Sequence, residues 1–452
     1  MHIASTARNT VPTEVLDFVI IGAGISGINT AYYLQNRGPK GATYAILEGR
    51  ESLGGTWALF QYPGIRSDSD INTFGFSWNP WQGDKALASA REIVSYMSDS
   101  ASKAGVDQHF RFNHRVTAAD WSSPLSMWTL DVVINGQEKK TIGARYVVLG
   151  TGYYDYEQPL SAVIPGIENF GGQVIHPQFW PKDYSYTNKE VVVIGSGATA
   201  ITIVPSMAKD ARRVTMLQRS PTYIAALPNS RDLFGHILYG ILPKGVASRI
   251  VRTTFILRGY FLFTSSVAVD PHFTPTYNPW EQRLCASPDG DFFRAMRSGK
   301  AQVITDSVHD ITETEIVLKS GKTLKPDAII TATGLKLHFA GHIRISVDGV
   351  EVDPATKFVL RGCMMQDVPN MAFVIGYVNA SWTLGAEATA TYLTRLWKSM
   401  NSKGIKAVVP TVQNPGMKST KLLELTSTYL RNSSEVFPKA GVGIWSRGLI
   451  IW

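Results

Sequence analysis

The sequence contains only two cysteines, Cys285 and Cys363, among its 452 residues. Two cysteines are too few for the disulfide framework of a small secreted protein, and such low usage is typical of a reducing compartment. Because the two residues lack CxxC spacing, the pattern also argues against a zinc site and a redox dithiol. A chain of this length can instead bury a sizeable core in two or three domains.

Dense runs of lysine or arginine are also absent, although the formal net charge is +8. That charge suits nucleic acid, an anionic membrane or an anionic cofactor, and without a basic run we favour an enzyme that binds phosphates and no nucleic acid.

A long apolar segment near the N-terminus is missing too. The run Val15–Ile21 is too short to span a membrane, so we predict a strand and not a signal peptide, and a cytoplasmic protein.

That apolar run leads directly into a glycine-rich turn, Gly22-Ala23-Gly24-Ile25-Ser26-Gly27. Helical character follows over residues 28–37, and Thr43–Glu48 has the β-rich composition of a second strand. A lone GxGxxG is a weak signal, but a strand before it and a helix after it indicate a βαβ unit. Glycine there lets the backbone approach a pyrophosphate, which lies on the positive N-terminus of the helix.

The same pattern recurs with Glu190–Ile194, the turn Gly195-Ser196-Gly197-Ala198-Thr199-Ala200 and the strand Arg213–Leu217. The two turns are 173 residues apart, which is too far for a short-period repeat. We therefore predict an α/β protein with two Rossmann-like dinucleotide-binding domains.

The residues after each second strand differ in charge. Glu48 follows Gly22 by 26 residues, where a carboxylate can accept hydrogen bonds from a ribose with free hydroxyls. Gln218 and Arg219 occupy the corresponding place in the second unit, and an arginine can bind a 2′-phosphate by charge-assisted hydrogen bonds. The alternatives are a solvated acid and a surface arginine at strand ends. The difference predicts FAD at the first site and NADPH at the second.

Two further strand-like segments, Arg145–Gly152 and Asp327–Gly334, end in small residues and could mark crossings between the domains. We predict a discontinuous FAD domain with its first part at 1–155 and its second part at 331–452. An interdomain linker would occupy 156–188, and an NADPH domain with a helical insert 189–330.

The insert, residues 233–269, mixes apolar residues with Lys244, Arg249, Arg252 and Arg258. A helix on a membrane surface is one interpretation, and would give peripheral membrane contact. A helical cap packed on the second domain is the favoured one, because Pro243, Gly245 and Gly259 interrupt the pattern.

Residues 49–70 contain no cysteine pair, which excludes a disulfide reductase of this architecture. They contain Gly54-Gly55-Thr56-Trp57 and Tyr62-Pro63-Gly64-Ile65-Arg66-Ser67-Asp68 instead. A second distinctive run is Phe170-Gly171-Gly172-Gln173-Val174-Ile175-His176-Pro177-Gln178-Phe179-Trp180-Pro181. Taken singly, a tryptophan or histidine here would more often belong to the core than to a catalytic site.

Together these runs resemble the two fingerprints of Baeyer–Villiger monooxygenases, GGxW…YPGxxxD and FxGxxxHxxxWP, at every fixed position. The resemblance extends over nearly the whole chain and is strongest to the ethionamide-activating branch of that family. It implies a glutathione-reductase-like flavoprotein fold.

The resemblance also implies roles for particular residues. Arg283 would stabilise a flavin C4a-peroxide, and Asp68 would hold that arginine near the flavin. The glycine turn and the matching family positions imply FAD contacts at Gly22, Gly24, Ser26, Gly27, Glu48, Gly55, Thr56, Trp57, Arg66, Ser67, Asp68 and Val116. They imply NADP contacts at Gly195, Ser196, Gly197, Ala198, Thr199, Ala200, Ile201, Gln218 and Arg219.

The resulting hypothesis is insertion of one oxygen atom of O2 into a small hydrophobic molecule, as Baeyer–Villiger oxidation of a ketone to an ester or lactone in secondary metabolism. Epoxidation or oxidation of sulfur or nitrogen on the same scaffold is one alternative. A flavin-binding protein without turnover is another, because residues 224–276 are shorter than in the relatives and the C-terminus ends earlier.

Overall fold

The computed structural model describes residues 12–230, 233–262, 272–278, 281–282, 284–377, 380–414, 416–423 and 435–446. The helices in these ranges are α1 (Ile25–Arg37), α2 (Thr56–Leu59), α3 (Ile71–Phe74), α4 (Ala90–Lys103), α5 (Ala198–Met207), α6 (Leu233–Ile241), α7 (Lys244–Leu262), α8 (Asp291–Arg297) and α9 (Trp382–Ser402). Short 3₁₀ turns lie at Asp107–His109, Ile167–Asn169, Pro177–Phe179, Ala340–His342, Pro354–Thr356 and Gly443–Trp445.

The strands up to the middle of the chain are β1 (Glu14–Ile21), β2 (Tyr44–Leu47), β3 (Phe110–Arg111), β4 (His114–Ser122), β5 (Met127–Ile134), β6 (Glu138–Leu149), β7 (Gln173–Ile175), β8 (Glu190–Ile194), β9 (Arg213–Gln218), β10 (Ile224–Leu227) and β11 (Cys285–Pro288). The later strands are β12 (Ala301–Thr305), β13 (Val308–Ile311), β14 (Ile316–Leu318), β15 (Thr323–Leu324), β16 (Ala328–Thr331), β17 (Arg344–Val347), β18 (Val350–Glu351), β19 (Val359–Leu360), β20 (Met364–Met365), β21 (Met371–Phe373), β22 (Thr420–Lys421) and β23 (Lys439–Ala440).

The first sheet, with the helices packed on it, forms what we call the first unit. Its strand order is β18-β17-β4-β5-β6-β1-β2-β3, and β21 also pairs with β6. Strand β1 lies parallel to both β2 and β6. Its Phe18 and Ile20 pack on one face while Val19 and Ile21 pack on the other, so β1 is covered on both sides. This burial explains the continuous apolar run, which is typical of a central parallel strand.

The second unit is built on a five-stranded sheet with the order β12-β9-β8-β16-β7, in which all pairs are parallel. The three valines of β8 are buried, and α5 packs on the sheet beside them. Strand β7 lies inside the stretch predicted as a linker and is an edge strand of this sheet. That part of the stretch therefore belongs to the second sheet.

The chain crosses between the two units after β6 and returns after β16. At the crossings the two segments run side by side. The backbone N–H of Asp155 donates to the carbonyl of Lys336 at 2.8 Å, and the backbone N–H of His338 donates to the carbonyl of Tyr153 at 3.1 Å. Strands β17 and β21 then rejoin the first sheet beside β4 and β6. The domain boundaries near 155 and 330 stay a prediction that this chain path supports.

The helical insert docks on the first unit through one arginine of α7. Arg252 donates to the carbonyl of Gly75 at 2.7 Å and to the carboxylate of Glu387 at 3.0 Å. Glu387 lies on α9 and also accepts the backbone N–H of Ser77 at 2.7 Å. The expected packing of this insert on the second domain is corrected here, because Arg252 finds its partners around α3 and on α9. In the described part of the chain, no helix is long and apolar enough to cross a membrane.

Replacing Arg252 by alanine is expected to destabilise the fold by about 3 kcal/mol, because it leaves a buried carboxylate without its cation. The side chain of Glu387 is 3% exposed, so water cannot readily replace the guanidinium. Thermal unfolding of the purified variant measures the loss. The matched control is Arg249→Ala on the exposed face of the same helix, and equal melting temperatures for the two variants would contradict the assignment.

Candidate active site

The first glycine turn is shaped so that glycine is required. Gly22 has a φ of +106°, and a Cβ atom there would lie 2.6 Å from the carbonyl oxygen of Gly150. A Cβ on Gly27 would lie 1.9 Å from the carbonyl oxygen of Gly22. Gly24 precedes the first turn of α1 and has no capping side chain. No side-chain hydrogen bond therefore caps the N-terminus of α1, and binding of a phosphate group there stays a prediction.

Glu48 lies at the carboxyl end of β2, directly beside this turn. Its carboxylate accepts the backbone N–H of Ala23 at 2.8 Å and that of Arg50 at 3.0 Å. Burial raises the pKa of Glu48, and these two hydrogen bonds oppose that shift. The carboxylate is thus fixed at the wall of a cavity, where a ribose hydroxyl could donate to it.

The second glycine turn repeats this geometry between β8 and α5. Gly195 has a φ of +133°, and a Cβ there would lie 2.2 Å from the carbonyl oxygen of Ala332. Ser196 ties the turn to the end of β9 by donating to the carbonyl of Ser220 at 2.9 Å. Gln218 is buried, whereas Arg219 beside it is exposed. The arginine is therefore accessible at the edge where strands of a doubly wound sheet bind their nucleotide.

The fingerprint segment 62–68 joins the two units. Tyr62 is partly buried and packs against the core of the second unit. Gly64, with a φ of +78°, approaches the same helix so closely that a Cβ would lie 1.9 Å from the hydroxyl of Ser206. This close approach explains why the YPG motif has glycine at its third position.

Arg66, predicted to contact FAD, forms an ion pair with Asp291 at 2.8 Å and donates to the carbonyl of Ala286 at 3.1 Å. Both partners belong to the second unit, so the guanidinium holds the two units together. Its Nε atom is buried without a hydrogen-bond partner among the described residues, and the side chain also lines the cavity. Contact with FAD stays a prediction for this residue.

The linker fingerprint packs at the second crossing. His176 is half-buried beside the backbone of Gly334, and burial lowers its pKa. Trp180 packs edge-on against Tyr184 and Tyr186 in the core of the second unit. These side chains therefore act on the geometry of the crossing and do not line the cavity described next.

A cavity of about 590 Å³ extends between the two units. Its wall includes these residues that the sequence predicts as cofactor contacts: Gly22, Gly24, Ser26, Glu48, Gly55, Thr56, Trp57, Arg66, Ser67, Asp68, Val116, Ala198 and Thr199. The first eleven belong to the first unit and the last two begin α5 of the second. Gly27, Gly195, Ser196, Gly197, Ala200, Ile201, Gln218 and Arg219 lie outside this wall.

Sequence reasoning missed an aromatic group on the same wall. Trp382 donates from its indole to the hydroxyl of Ser26 at 2.8 Å and stacks on Tyr153, with ring centroids 5.1 Å apart. The hydroxyls of Tyr153 and Tyr154 are 2.9 Å apart. Their position in the sequence could have indicated this wall, because both tyrosines directly follow the small residues after β6.

A second missed group links the two crossings. The buried carboxylate of Asp155 accepts from His342 at 3.0 Å and forms an ion pair with Lys336 at 3.3 Å. Although burial opposes ionisation, the hydrogen bond from His342 and two backbone N–H groups lower the pKa of Asp155 to about 2. Ala340, Gly341 and His342 all have φ values between 57° and 65°, so this pair holds a left-handed elbow at the cavity wall.

Arg283, predicted to be catalytic, lies outside the described residues. Its predicted partner Asp68 lines the cavity between the units.

No group of three or more metal-ligating side chains occurs within the described ranges. Cys285 and Cys363 are both buried, and they do not form a disulfide with each other.

Comparisons with known proteins agree with this geometry. A family profile described as flavin-binding monooxygenase-like matches residues 17–231. The chain is 43% identical to the FAD-containing monooxygenase EthA of Mycobacterium tuberculosis, over 95% of this chain and 92% of EthA.

Among solved structures, the open crystal structure of cyclohexanone monooxygenase matches with a TM-score of 0.71 at 18% identity, over 97% of this chain and 95% of that one. The OTEMO complex with FAD and NADP matches with a TM-score of 0.68 at 23% identity, over 89% and 88% of the two chains. The predicted fold class, the monooxygenase class and the cofactor pair are thereby confirmed. The chain belongs to the flavin-binding monooxygenase-like family.

Proposed function

We propose that this monooxygenase uses FAD and NADPH to carry out Baeyer–Villiger oxidation of a hydrophobic ketone to an ester or lactone. The observation that carries the proposal is a cavity that reaches from Glu48 in the first unit to Ala198 and Thr199 in the second. Ala198 and Thr199 directly follow the second glycine turn, so a nucleotide bound at that turn would reach this cavity and bring a hydride donor to its acceptor. FAD, when bound, supplies hydride acceptance and oxygen activation.

The residues of this chain would then bind and orient. The amide groups at the open end of α1 would hold the pyrophosphate, and Glu48 would accept from the ribose. Asp68 lies on the same wall near Ser67 and Arg66. We assign Arg283 the task of stabilising negative charge on the reacting oxygen atoms, since a guanidinium stays charged at every relevant pH. Asp68 would fix the position of that arginine.

The remainder of the cavity wall supports an apolar substrate. Leu335 and Ile343 line it after the second crossing, and Leu59, Phe60 and Phe74 line it on either side of the fingerprint segment. Apolar walls exclude water, which strengthens electrostatic interactions at the reacting atoms. A small hydrophobic ketone fits this environment better than a charged metabolite.

The same wall supports oxidation of sulfur, nitrogen or an alkene, because the apolar lining accepts any of these groups. We favour ketone oxidation because segment 62–68 resembles the Baeyer–Villiger fingerprint, and because its Tyr62 and Arg66 contact the second unit.

NADPH oxidation by the FAD-loaded protein is expected to be faster than in a flavin-free control, and to form an oxygenated product when a ketone panel is present. Mass analysis detects the product as the ketone plus one oxygen atom. Absence of NADPH oxidation above the control would contradict every enzymatic interpretation and favour a flavin-binding protein without turnover.

A further inference from the structure

The carboxyl end of the second sheet carries a histidine that the assigned cofactor contacts do not include. His272 lies beside the last residue pair of β9 and β12, where Gln218 is opposite Thr305. The side-chain amide of Gln218 donates to the carbonyl oxygen of His272 at 2.8 Å and to the hydroxyl of Thr305 at 2.9 Å. Nδ1 of the His272 ring lies 2.8 Å from the same hydroxyl. A buried amide therefore fixes both the backbone and the ring.

The hydrogen bonds around His272 determine whether the outward-facing Nε2 atom of its ring is a donor or an acceptor. Thr305 accepts from Gln218, so its own proton is available for Nδ1 of His272. In that arrangement the neutral ring carries its proton on Nε2. In the protonated ring both nitrogens carry protons, and Nδ1 donates to the second lone pair of the Thr305 hydroxyl. In either state Nε2 is a donor, and it meets no partner among the described residues.

Positive charge at this edge is not neutralised within the described ranges. Arg219 directly follows Gln218, is exposed, and forms no ion pair or hydrogen bond in the part of the chain that the structure describes. Asp306, an acid at the same strand ends, is engaged elsewhere: it accepts the backbone N–H groups of Ser307 and Ser320. Those hydrogen bonds, with that from the Ser320 side chain, lower the pKa of Asp306 and keep it ionised.

We propose that His272 is a specificity-determining residue that binds the 2′-phosphate of NADPH together with Arg219. A phosphate monoester presents acceptor oxygens to both the Nε2 donor and the guanidinium fork. Thr305 and Gln218 act as positioning residues for the ring. The proposal rests on the NADPH dependence proposed above and adds the residue that distinguishes NADPH from NADH.

The test uses calorimetric titration of the FAD-loaded protein with two probes, 2′,5′-ADP and 5′-ADP. His272→Ala is expected to weaken binding of 2′,5′-ADP by about tenfold, since a hydrogen bond to a charged group is lost. Binding of 5′-ADP, which lacks the 2′-phosphate, is expected to stay unchanged. The backbone carbonyl that Gln218 contacts is retained, so the strand ends keep their structure.

Two further variants separate recognition from folding. Thr305→Val keeps the ring but removes its support, so it should give a smaller loss that is again confined to 2′,5′-ADP. His309→Ala, at an exposed position on β13, should leave both probes unaffected. Equal losses for both probes in His272→Ala, or no loss for either, would overturn the proposal. Failure of the wild-type protein to prefer 2′,5′-ADP would contradict NADPH dependence itself.

Discussion

Replacing Gly22 by alanine is expected to reduce the flavin content of the purified protein to about a tenth or less of the wild-type value. At φ +106° an L-residue is strained, at a cost of about 1–3 kcal/mol. The added Cβ would also lie 2.6 Å from the carbonyl oxygen of Gly150, a backbone atom that cannot turn away. The turn must therefore move, and the amide groups at the start of α1 move with it. Flavin absorbance per protein measures the result.

Two controls distinguish this local effect from general destabilisation. Gly41→Ala introduces similar backbone strain at φ +71° in open space, so the variant should keep its flavin. Gly195→Ala repeats the collision in the second unit, where Cβ would lie 2.2 Å from the carbonyl oxygen of Ala332. That variant should retain flavin but lose binding of NADP. Full flavin occupancy in Gly22→Ala would contradict the location of the first site.

Arg283→Ala is expected to keep reduction of FAD by NADPH but to lower product formation by roughly a hundredfold or more. Loss of a group that stabilises charge on the reacting atoms costs about that much in other enzymes. Hydride transfer itself does not need this guanidinium, so NADPH oxidation should continue. The electrons then leave as hydrogen peroxide, formed from O2, NADPH and a proton. Parallel assays of NADPH, peroxide and product measure the division between the two outcomes.

A conservative variant and a neighbouring one sharpen this test. Arg283→Lys retains the charge without the planar fork and should give an intermediate product yield. Gln282→Ala, next in the chain, should behave as wild type. Wild-type product formation by Arg283→Ala would refute the catalytic assignment, and loss of flavin reduction would instead indicate a role in holding the nucleotides.

Much of both nucleotide-binding units could be predicted from local patterns. The predicted strand before Gly22 and the strand ending near Glu48 correspond to Glu14–Ile21 and Tyr44–Leu47. The predicted strand before Gly195 is Glu190–Ile194, with the same bounds in the structure. These elements are defined by short-range rules, since apolar runs, glycine turns and helices follow one another within about fifty residues.

Features that depend on contacts distant in sequence could not be predicted in this way. The ion pair between Arg66 and Asp291 joins residues 225 positions apart, and nothing near either residue indicates the other. Arg252 likewise finds Glu387 across 135 positions, which places the helical insert on the first unit. The left-handed elbow at Ala340–His342 contains two non-glycine residues, so its sequence does not carry the usual turn signal.

The site residues divide along the same line. Glu48 and the glycines of the two turns could be proposed from the sequence, because a strand–turn–helix pattern determines their positions. His272 was missed because a single histidine carries no pattern, and its significance comes from Gln218 and Thr305 on neighbouring strands. The cavity could not be predicted either, because its wall combines residues that are far apart in sequence, such as Tyr153, Thr199 and Trp382.

The most direct test of the proposed reaction is incubation of the FAD-loaded protein with NADPH, a ketone panel and oxygen-18 gas, followed by mass analysis. The proposed Baeyer–Villiger oxidation predicts an ester or lactone that contains one labelled oxygen atom, with the carbonyl oxygen of the ketone retained. A labelled sulfoxide, N-oxide or epoxide from a matching substrate panel, with no labelled ester from any ketone, would contradict it.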